Sequence, residues 1–131
     1  MLSLGMDIGT STVKLVLLKN QEIEKQWMAV HHGTPFVCLK KGLSALELDA
    51  DTPFSLCVTG SNTEALLEQD SAIPSLGDIP AIVEGVRWII PQVGSVIEIG
   101  SQGARFITEV QSRTPQFAAN EHCAGGTGSF F

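Results

Sequence analysis

Two copies of one motif, 91 residues apart, constrain the fold of this chain more than any other feature. In the first copy, an apolar run ends at Asp7 and is followed by Gly9-Thr10-Ser11 and a second apolar run. In the second copy, Glu98 is followed by Gly100-Ser101-Gln102 and another apolar run. In each copy a basic residue stands seven positions after the acidic one. The pattern predicts two strand-turn-strand units and suggests that one unit is a duplicate of the other.

The first turn has the composition of a phosphate-binding turn. Glycine lets a backbone approach an anion closely, and successive N–H groups in a turn form an anion-binding concavity. We therefore predict that Gly9, Thr10, Ser11 and Thr12 bind phosphates of a cofactor. Asp7 is predicted to act through Mg²⁺ or its water, because a bare carboxylate repels phosphate. The alternative is an ordinary β-hairpin with an Asp-Ile-Gly-Thr turn.

Composition and charge limit the classes of function. The chain has 131 residues, 44% of them hydrophobic, which suits a globular core, and its net charge is −6. The acidic balance argues against a general nucleic-acid or anionic-membrane surface. No apolar run approaches the roughly 20 residues of a membrane span. No signal peptide is recognised at the start of the sequence, so we expect a cytoplasmic protein.

Hydrophobic periodicity predicts a mixed α/β fold. The predicted strands cover 2–8, 12–19, 22–31, 54–59, 95–100, 105–110 and 117–120. Helices are predicted over 36–48, 64–68 and 81–90. This order leaves room for one complete unit over 1–93 and for only the first strands of a second unit over 94–131.

The three cysteines form no zinc or disulfide pattern. Cys38 and Cys57 lie in apolar segments, and both are expected in the core. Cys123 precedes a glycine-rich segment and is expected to be accessible. The neighbours His31 and His32 are not expected to share a metal, because adjacent residues of a strand point to opposite faces.

Four segments resemble one family in their residues and in their order along the chain. They are Met6–Lys14, Val58–Ser61, Val96–Gly100 and, most specifically, the Asn120–Phe130 stretch with its Cys-Ala-Gly-Gly-Thr-Gly motif. Together they resemble the actin/Hsp70/sugar-kinase ATPase superfamily, whose fold is ribonuclease-H-like. Within it the chain is similar to the BadF/BadG/BcrA/BcrD ATPase family, the activases of 2-hydroxyacyl-CoA dehydratases and benzoyl-CoA reductases.

The resemblance implies a function for the complete protein. It implies an ATPase that transfers a low-potential electron to an acyl-CoA dehydratase or reductase from a [4Fe–4S] cluster held between two identical subunits. Cys123 would be one of the two cluster ligands of each subunit. Glu98 would orient a water or a metal, and Gly100, Ser101 and Gln102 would belong to a second phosphate loop.

Two departures from the family pattern leave alternatives open. Gly103 stands where the family usually has an aspartate, and no second cysteine follows Cys123 in the remaining eight residues. The chain is therefore expected to be the amino-terminal piece of an activase and to be inactive alone. One alternative is a degenerate nucleotide-binding or structural lobe without turnover. Another is a small-molecule kinase of the same superfamily, although such a kinase needs no cysteine at position 123.

Overall fold

A computed structural model describes residues 1–101 and 103–120 of the chain. The contacts divide the chain into two units, the first spanning Met1–Gly77 and the second beginning at Asp78. The domain boundary that the sequence predicts after residue 93 stays a prediction.

The order of helices and strands follows the predicted order. The first unit consists of β1 (Leu2–Ile8), β2 (Thr12–Lys19), β3 (Glu22–Val30), α1 (Pro35–Ala45), β4 (Phe54–Thr59) and α2 (Glu64–Gln69). The second unit contains α3 (Asp78–Ile89), β5 (Val96–Gly100), β6 (Gly103–Thr108) and β7 (Gln116–Asn120). No helix in the described ranges is long and apolar enough to cross a membrane.

The first unit is a four-stranded sheet with the strand order β3-β2-β1-β4. The strands β1, β2 and β3 form an antiparallel meander, whereas β4 is parallel to β1. A parallel neighbour requires a crossover connection, and this connection contains α1. Because β1 and β4 run in the same direction, their carboxyl ends and the turns that follow them lie at one edge of the sheet.

The core of the first unit lies between one face of this sheet and α1. Alternate residues of the strands point into it, as the period of two requires. They are buried together with side chains of α1 and its C-cap residue: Leu4, Met6, Ile8, Val13, Leu15, Leu17, Cys38, Leu39, Leu46 and Val58. Gly42 of α1 lies against Trp27, and a Cβ atom added there would be 2.5 Å from the Trp27 ring. The missing side chain therefore allows α1 to approach the sheet closely.

The two cysteine predictions that the structure tests have opposite outcomes. Cys38 is buried, as predicted, whereas Cys57 is exposed and that prediction is wrong. Cys57 alternates with the buried Val58 and so points to the opposite face of the sheet from the core. Its parallel neighbour on β1 is Gly5, which has no side chain to cover the thiol.

The second unit packs α3 against an antiparallel sheet with the order β5-β6-β7. Val83 of α3, Ile107 of β6 and Val110 form its buried cluster. The helix starts at Asp78, earlier than predicted, because Pro80 lies in the first turn, where a proline is tolerated. Arg87 also joins α3 to the segment after β6 by donating to the carbonyls of Val110 and Ser112 at 2.7 and 2.5 Å.

Candidate phosphate-binding turns

The turn between β1 and β2 has the tight geometry that its residues predict. The Gly9 N–H donates to the Thr12 carbonyl at 2.9 Å, which closes a loop around Thr10 and Ser11. A Cβ atom added at Gly9 would lie 3.2 Å from that carbonyl oxygen, so a larger residue would crowd the turn. Thr10 and Ser11 therefore stand at the tip of the hairpin, where Thr10 is exposed.

A second turn, after β4, lies against the first. Gly60 has a φ of +106°, a conformation that favours glycine. A Cβ atom added at Gly60 would be 2.5 Å from the Ile8 carbonyl carbon and 2.7 Å from Asp7 Oδ1. The Asn62 N–H donates to the Ile8 carbonyl at 2.9 Å, and the Thr10 and Ser61 hydroxyls are hydrogen-bonded at 3.0 Å. These contacts bring the two turns together at the edge of the sheet.

The Gly9 carbonyl is the point at which three segments of the chain meet. It accepts hydrogen bonds from Asn62 Nδ2 at 2.8 Å and from His31 Nε2 at 3.0 Å. The backbone N–H of His31 also donates to the Ser11 carbonyl at 3.0 Å. His31 is 6% exposed and follows β3, so a buried residue at the end of the third strand holds the turn through these hydrogen bonds.

Helix α2 follows the second turn directly. The structure places Thr63 at the N-cap position of α2, without a side-chain capping bond. The Asn62 amide contacts the first turn, and that contact could not be read from local capping patterns.

Asp7 lies on β1 two residues before Gly9 and faces Lys14 across the hairpin. The two residues are partners in the register, and their side chains form an ion pair of 2.9 Å between Lys14 Nζ and Asp7 Oδ2. The side chains are 34% exposed for Asp7 and 48% exposed for Lys14. An ion pair so accessible to water contributes at most about 1 kcal/mol to stability, and its carboxylate is accessible to a cation.

The hairpin of the second unit has the same construction. Glu98 and Arg105 are partners in the register of β5 and β6, and Arg105 Nε lies 3.7 Å from Glu98 Oε2. Arg105 also donates to Asp78 Oδ2 at 3.1 Å. A Cβ atom added at Gly100 would lie 3.0 Å from Glu98 Oε1, so the carboxylate extends along the strand toward the turn.

The register supports the repeat that the sequence predicts. Asp7 pairs with Lys14 and Glu98 pairs with Arg105, each across seven positions. In the second hairpin Gly100 pairs with Gly103, and in the first the corresponding Gly9 and Thr12 are joined by a backbone hydrogen bond. Each hairpin thus presents a carboxylate two residues before a glycine that opens a two-residue turn.

The predicted site residues fall in both units. The first unit contains Asp7 and the turn residues 9–12, and the second contains Glu98, Gly100 and Ser101. Gln102 and Cys123 lie outside the described residues. Sequence reasoning missed the contacts of His31 and Asn62 with Gly9, because they join positions 22 and 53 residues apart. Among the described residues, no group of three or more acidic, histidine or cysteine side chains is arranged to hold a metal.

Comparison with curated proteins connects this geometry with a set of activators. No protein-family model matches the chain. It is 31% identical over 135 residues to the 2-hydroxyisocaproyl-CoA dehydratase activator of Clostridioides difficile, covering 99% of this chain and 50% of that protein. It is 27% identical over 132 residues to the (R)-2-hydroxyglutaryl-CoA dehydratase activating ATPase of Acidaminococcus fermentans, covering 98% of this chain and 50% of that protein. The chain thus spans about half the length of these relatives.

Solved structures agree with the sequence comparison. An activator of 2-hydroxyisocaproyl-CoA dehydratase from Clostridium difficile with bound ADPNP superposes with a TM-score of 0.80 at 28% identity. The alignment covers 99% of this chain and 49% of that one. An exopolyphosphatase from Cytophaga hutchinsonii has a TM-score of 0.62 at 15% identity, covering 100% of this chain and 54% of that one, which shows the fold alone.

These neighbours define the class of protein to which the fold belongs. The fold is that of the actin-like, ribonuclease-H-like ATPases, as the sequence predicted. Within that class, the chain belongs to the activator ATPase family of the 2-hydroxyacyl-CoA dehydratases. The resemblance drawn from the sequence motifs is confirmed.

Proposed function

We propose that this chain is the amino-terminal part of an ATP-dependent activase. The complete protein would couple ATP binding and hydrolysis to the transfer of an electron to a 2-hydroxyacyl-CoA dehydratase or a related reductase. The observation that carries the proposal is the shared register of the two hairpins, each with a carboxylate two residues before its turn. The similarity to activators of dehydratases supports it.

In the first hairpin, the backbone of Gly9, Thr10 and Ser11 would contact the β- and γ-phosphates of ATP, and Thr12 would support the turn. The hydroxyl of Thr10 or Ser11 adds a further donor. Asp7 would hold Mg²⁺ directly or through its water, since its carboxylate is accessible and next to the turn. Mg²⁺ supplies charge neutralisation to the phosphates, and catalysis of this type relies on positioning and electrostatic stabilisation.

In the second hairpin, Glu98 would orient the attacking water or the metal. Arg105 is placed to hold this carboxylate, because it lies 3.7 Å from Glu98 and is itself bonded to Asp78. Gly100, Ser101 and Gln102 would form the second phosphate loop.

Cys123 is proposed to be a ligand of the [4Fe–4S] cluster, which supplies the low-potential electron. Thiolate is the usual ligand of such clusters. We propose that two copies of the complete protein form a homodimer around it, that each copy contributes Cys123 and one further ligand, and that the dimer works in the cytoplasm.

Iron and acid-labile sulfide, measured on the complete gene product purified without oxygen, test the electron-donating role. We expect about four iron atoms per two chains in the wild type. The Cys123→Ser variant should lose them, and Cys57→Ser, which removes an exposed thiol of the first unit, should retain them. If the wild type holds no cluster after reconstitution, the electron-donating role is wrong.

One observation favours a second candidate, a nucleotide-binding lobe without turnover. Gly103 occupies the place of an expected aspartate and has a φ of +130°, which an aspartate rarely adopts. The backbone of this turn is therefore built for glycine, and the missing carboxylate is not a simple exchange of side chains. This candidate would be favoured over the activase if the complete protein binds an ATP analogue but releases no γ-phosphate from ATP in a single-turnover assay.

A further inference from the structure

The Gly9 carbonyl is held more firmly than an ordinary turn requires. A carbonyl oxygen is satisfied by one hydrogen bond and has two lone pairs. Here both are used, by His31 Nε2 at 3.0 Å and by Asn62 Nδ2 at 2.8 Å. The two donors come from different parts of the chain, one after β3 and the other after β4.

The ring of His31 is fixed in one orientation and one tautomer. The Gly33 N–H donates to Nδ1 at 3.0 Å, so Nδ1 must carry a lone pair. The proton of the neutral ring is therefore on Nε2, which donates it to the Gly9 carbonyl. Since His31 is buried, water has little access to replace this bond.

The amide of Asn62 is held with comparable precision. Its own backbone N–H donates to the Ile8 carbonyl at 2.9 Å, which places the residue beside the end of β1. Only the NH₂ group of the side chain can donate, so the bond to Gly9 also fixes which way the amide is turned.

Fixing the Gly9 carbonyl also fixes the N–H of the next residue. The peptide group between Gly9 and Thr10 is planar and trans, so its oxygen and its N–H point in opposite directions. Glycine at position 9 leaves this peptide group free to rotate, because glycine accepts backbone conformations that other residues do not. Two bonds to the carbonyl hold the Thr10 N–H pointing away from His31 and Asn62.

We infer that His31 and Asn62 are positioning residues that aim the Thr10 N–H at a phosphate of the bound nucleotide. The inference rests on the proposed function, because it assigns these residues to the phosphate-binding turn of that site. Without the two bonds, the peptide group can turn its carbonyl oxygen toward the ligand, and that oxygen repels phosphate. The pair thus selects the conformation of the turn that binds the phosphates.

Nucleotide binding to the complete gene product tests this inference. The first variant, His31→Phe, removes the Nε2 donor. The second, Asn62→Asp, replaces the amide donor of Asn62 with an acceptor of nearly the same shape. His31→Gln keeps an N–H near the position of Nε2. His32→Asn is the matched control, because His32 is exposed and its φ of +48° suits asparagine. Dissociation constants are measured for a non-hydrolysable ATP analogue with Mg²⁺ and for AMP, which lacks the β- and γ-phosphates.

We expect His31→Phe and Asn62→Asp to weaken binding of the ATP analogue about fivefold to tenfold, the effect of losing one hydrogen bond. Their affinity for AMP should stay within about twofold of the wild type. His31→Gln and His32→Asn should bind both nucleotides like the wild type. A role limited to stabilising the fold would not change the ratio of the two affinities.

The possible results separate the two levels of the proposal. If the wild type binds the analogue, and His31→Phe and Asn62→Asp bind it as tightly as the wild type, the positioning role is wrong and the proposed function stands. The positioning role is also wrong if AMP binding weakens as much as analogue binding. If the wild type binds neither nucleotide, the proposed function fails, and this inference with it. Should His31→Phe not fold, Asn62→Asp decides between these results.

Discussion

Replacing Gly60 by alanine should separate the two turns of the candidate site. The added Cβ atom would lie 2.5 Å from the carbonyl carbon of Ile8 and 2.7 Å from Asp7 Oδ1. The nearest obstacles are backbone atoms of β1, which cannot rotate away as the end of a flexible side chain can. The turn after β4 must therefore move, and its bond from the Asn62 N–H to the Ile8 carbonyl is weakened or lost.

Two physical terms set the size of the effect. A residue with a Cβ atom at positive φ costs about 1–2 kcal/mol. Overpacking against atoms that cannot relax adds about 1–3 kcal/mol. The free energy of unfolding should therefore fall by about 2–5 kcal/mol, a large share of the stability of a domain of this size.

Gly33→Ala is the matched control for the first term. Gly33 also has a positive φ, +86°, but no atom lies within 4 Å of an added Cβ. Gly33→Ala should therefore lower the free energy of unfolding by only about 1–2 kcal/mol. Urea unfolding followed by tryptophan fluorescence measures both variants. A Trp88→Phe background leaves Trp27, which packs against the core of the first unit, as the probe.

We expect the two variants to differ in their free energy of unfolding by about 1–3 kcal/mol, the packing term alone. If Gly60→Ala and Gly33→Ala lose the same stability within about 0.5 kcal/mol, the close approach of the two turns does not exist as described.

Three further predictions follow from named contacts. Gly42→Ala should lower the free energy of unfolding by about 1–3 kcal/mol in urea, because its Cβ atom would clash with Trp27. Gly85→Ala, on a helix with open space around it, should instead raise the free energy of unfolding by about 0.5–1 kcal/mol. Equal effects of the two substitutions would contradict the close packing of α1 against Trp27. Nitrogen-15 NMR of the neutral His31 ring should find the proton on Nε2, and a proton on Nδ1 would contradict the hydrogen bonds of the structure. Asp7→Asn keeps the shape of the side chain but removes its charge, so it should reduce Mg-ATP turnover of the complete protein by a factor of about 100 or more; unchanged turnover would refute the role of Asp7.

Local pattern made much of the fold predictable. Short apolar runs located β1 and β4 at their observed bounds, and the alternation of Val13, Leu15 and Leu17 located β2, because a strand that buries one face alternates with period two. The repeated motif predicted two hairpins, and their registers agree with it. The prediction for Cys57 failed because apolar neighbours show that a strand is buried on one face without showing which residues lie on that face.

Contacts between distant parts of the chain depend on tertiary structure. His31 and Asn62 reach Gly9 because β3 returns antiparallel to β2 while β4 joins the sheet parallel to β1. Neither residue belongs to a motif that would mark it. Asn62 lies just before the N-cap residue Thr63 of α2, yet its side chain bonds across the fold to Gly9.

The amino-acid sequence by itself determined the class of fold, the family, and the residues at the tips of the two hairpins. These depend on periodicity and on short motifs, whose physical causes act between residues a few positions apart. Only the tertiary structure decided how the turns after β1 and β4 meet, which side chains hold the Gly9 carbonyl, and that Cys57 is exposed while Cys38 is buried. Those features depend on the order and register of strands that are far apart in sequence, and no local pattern encodes them.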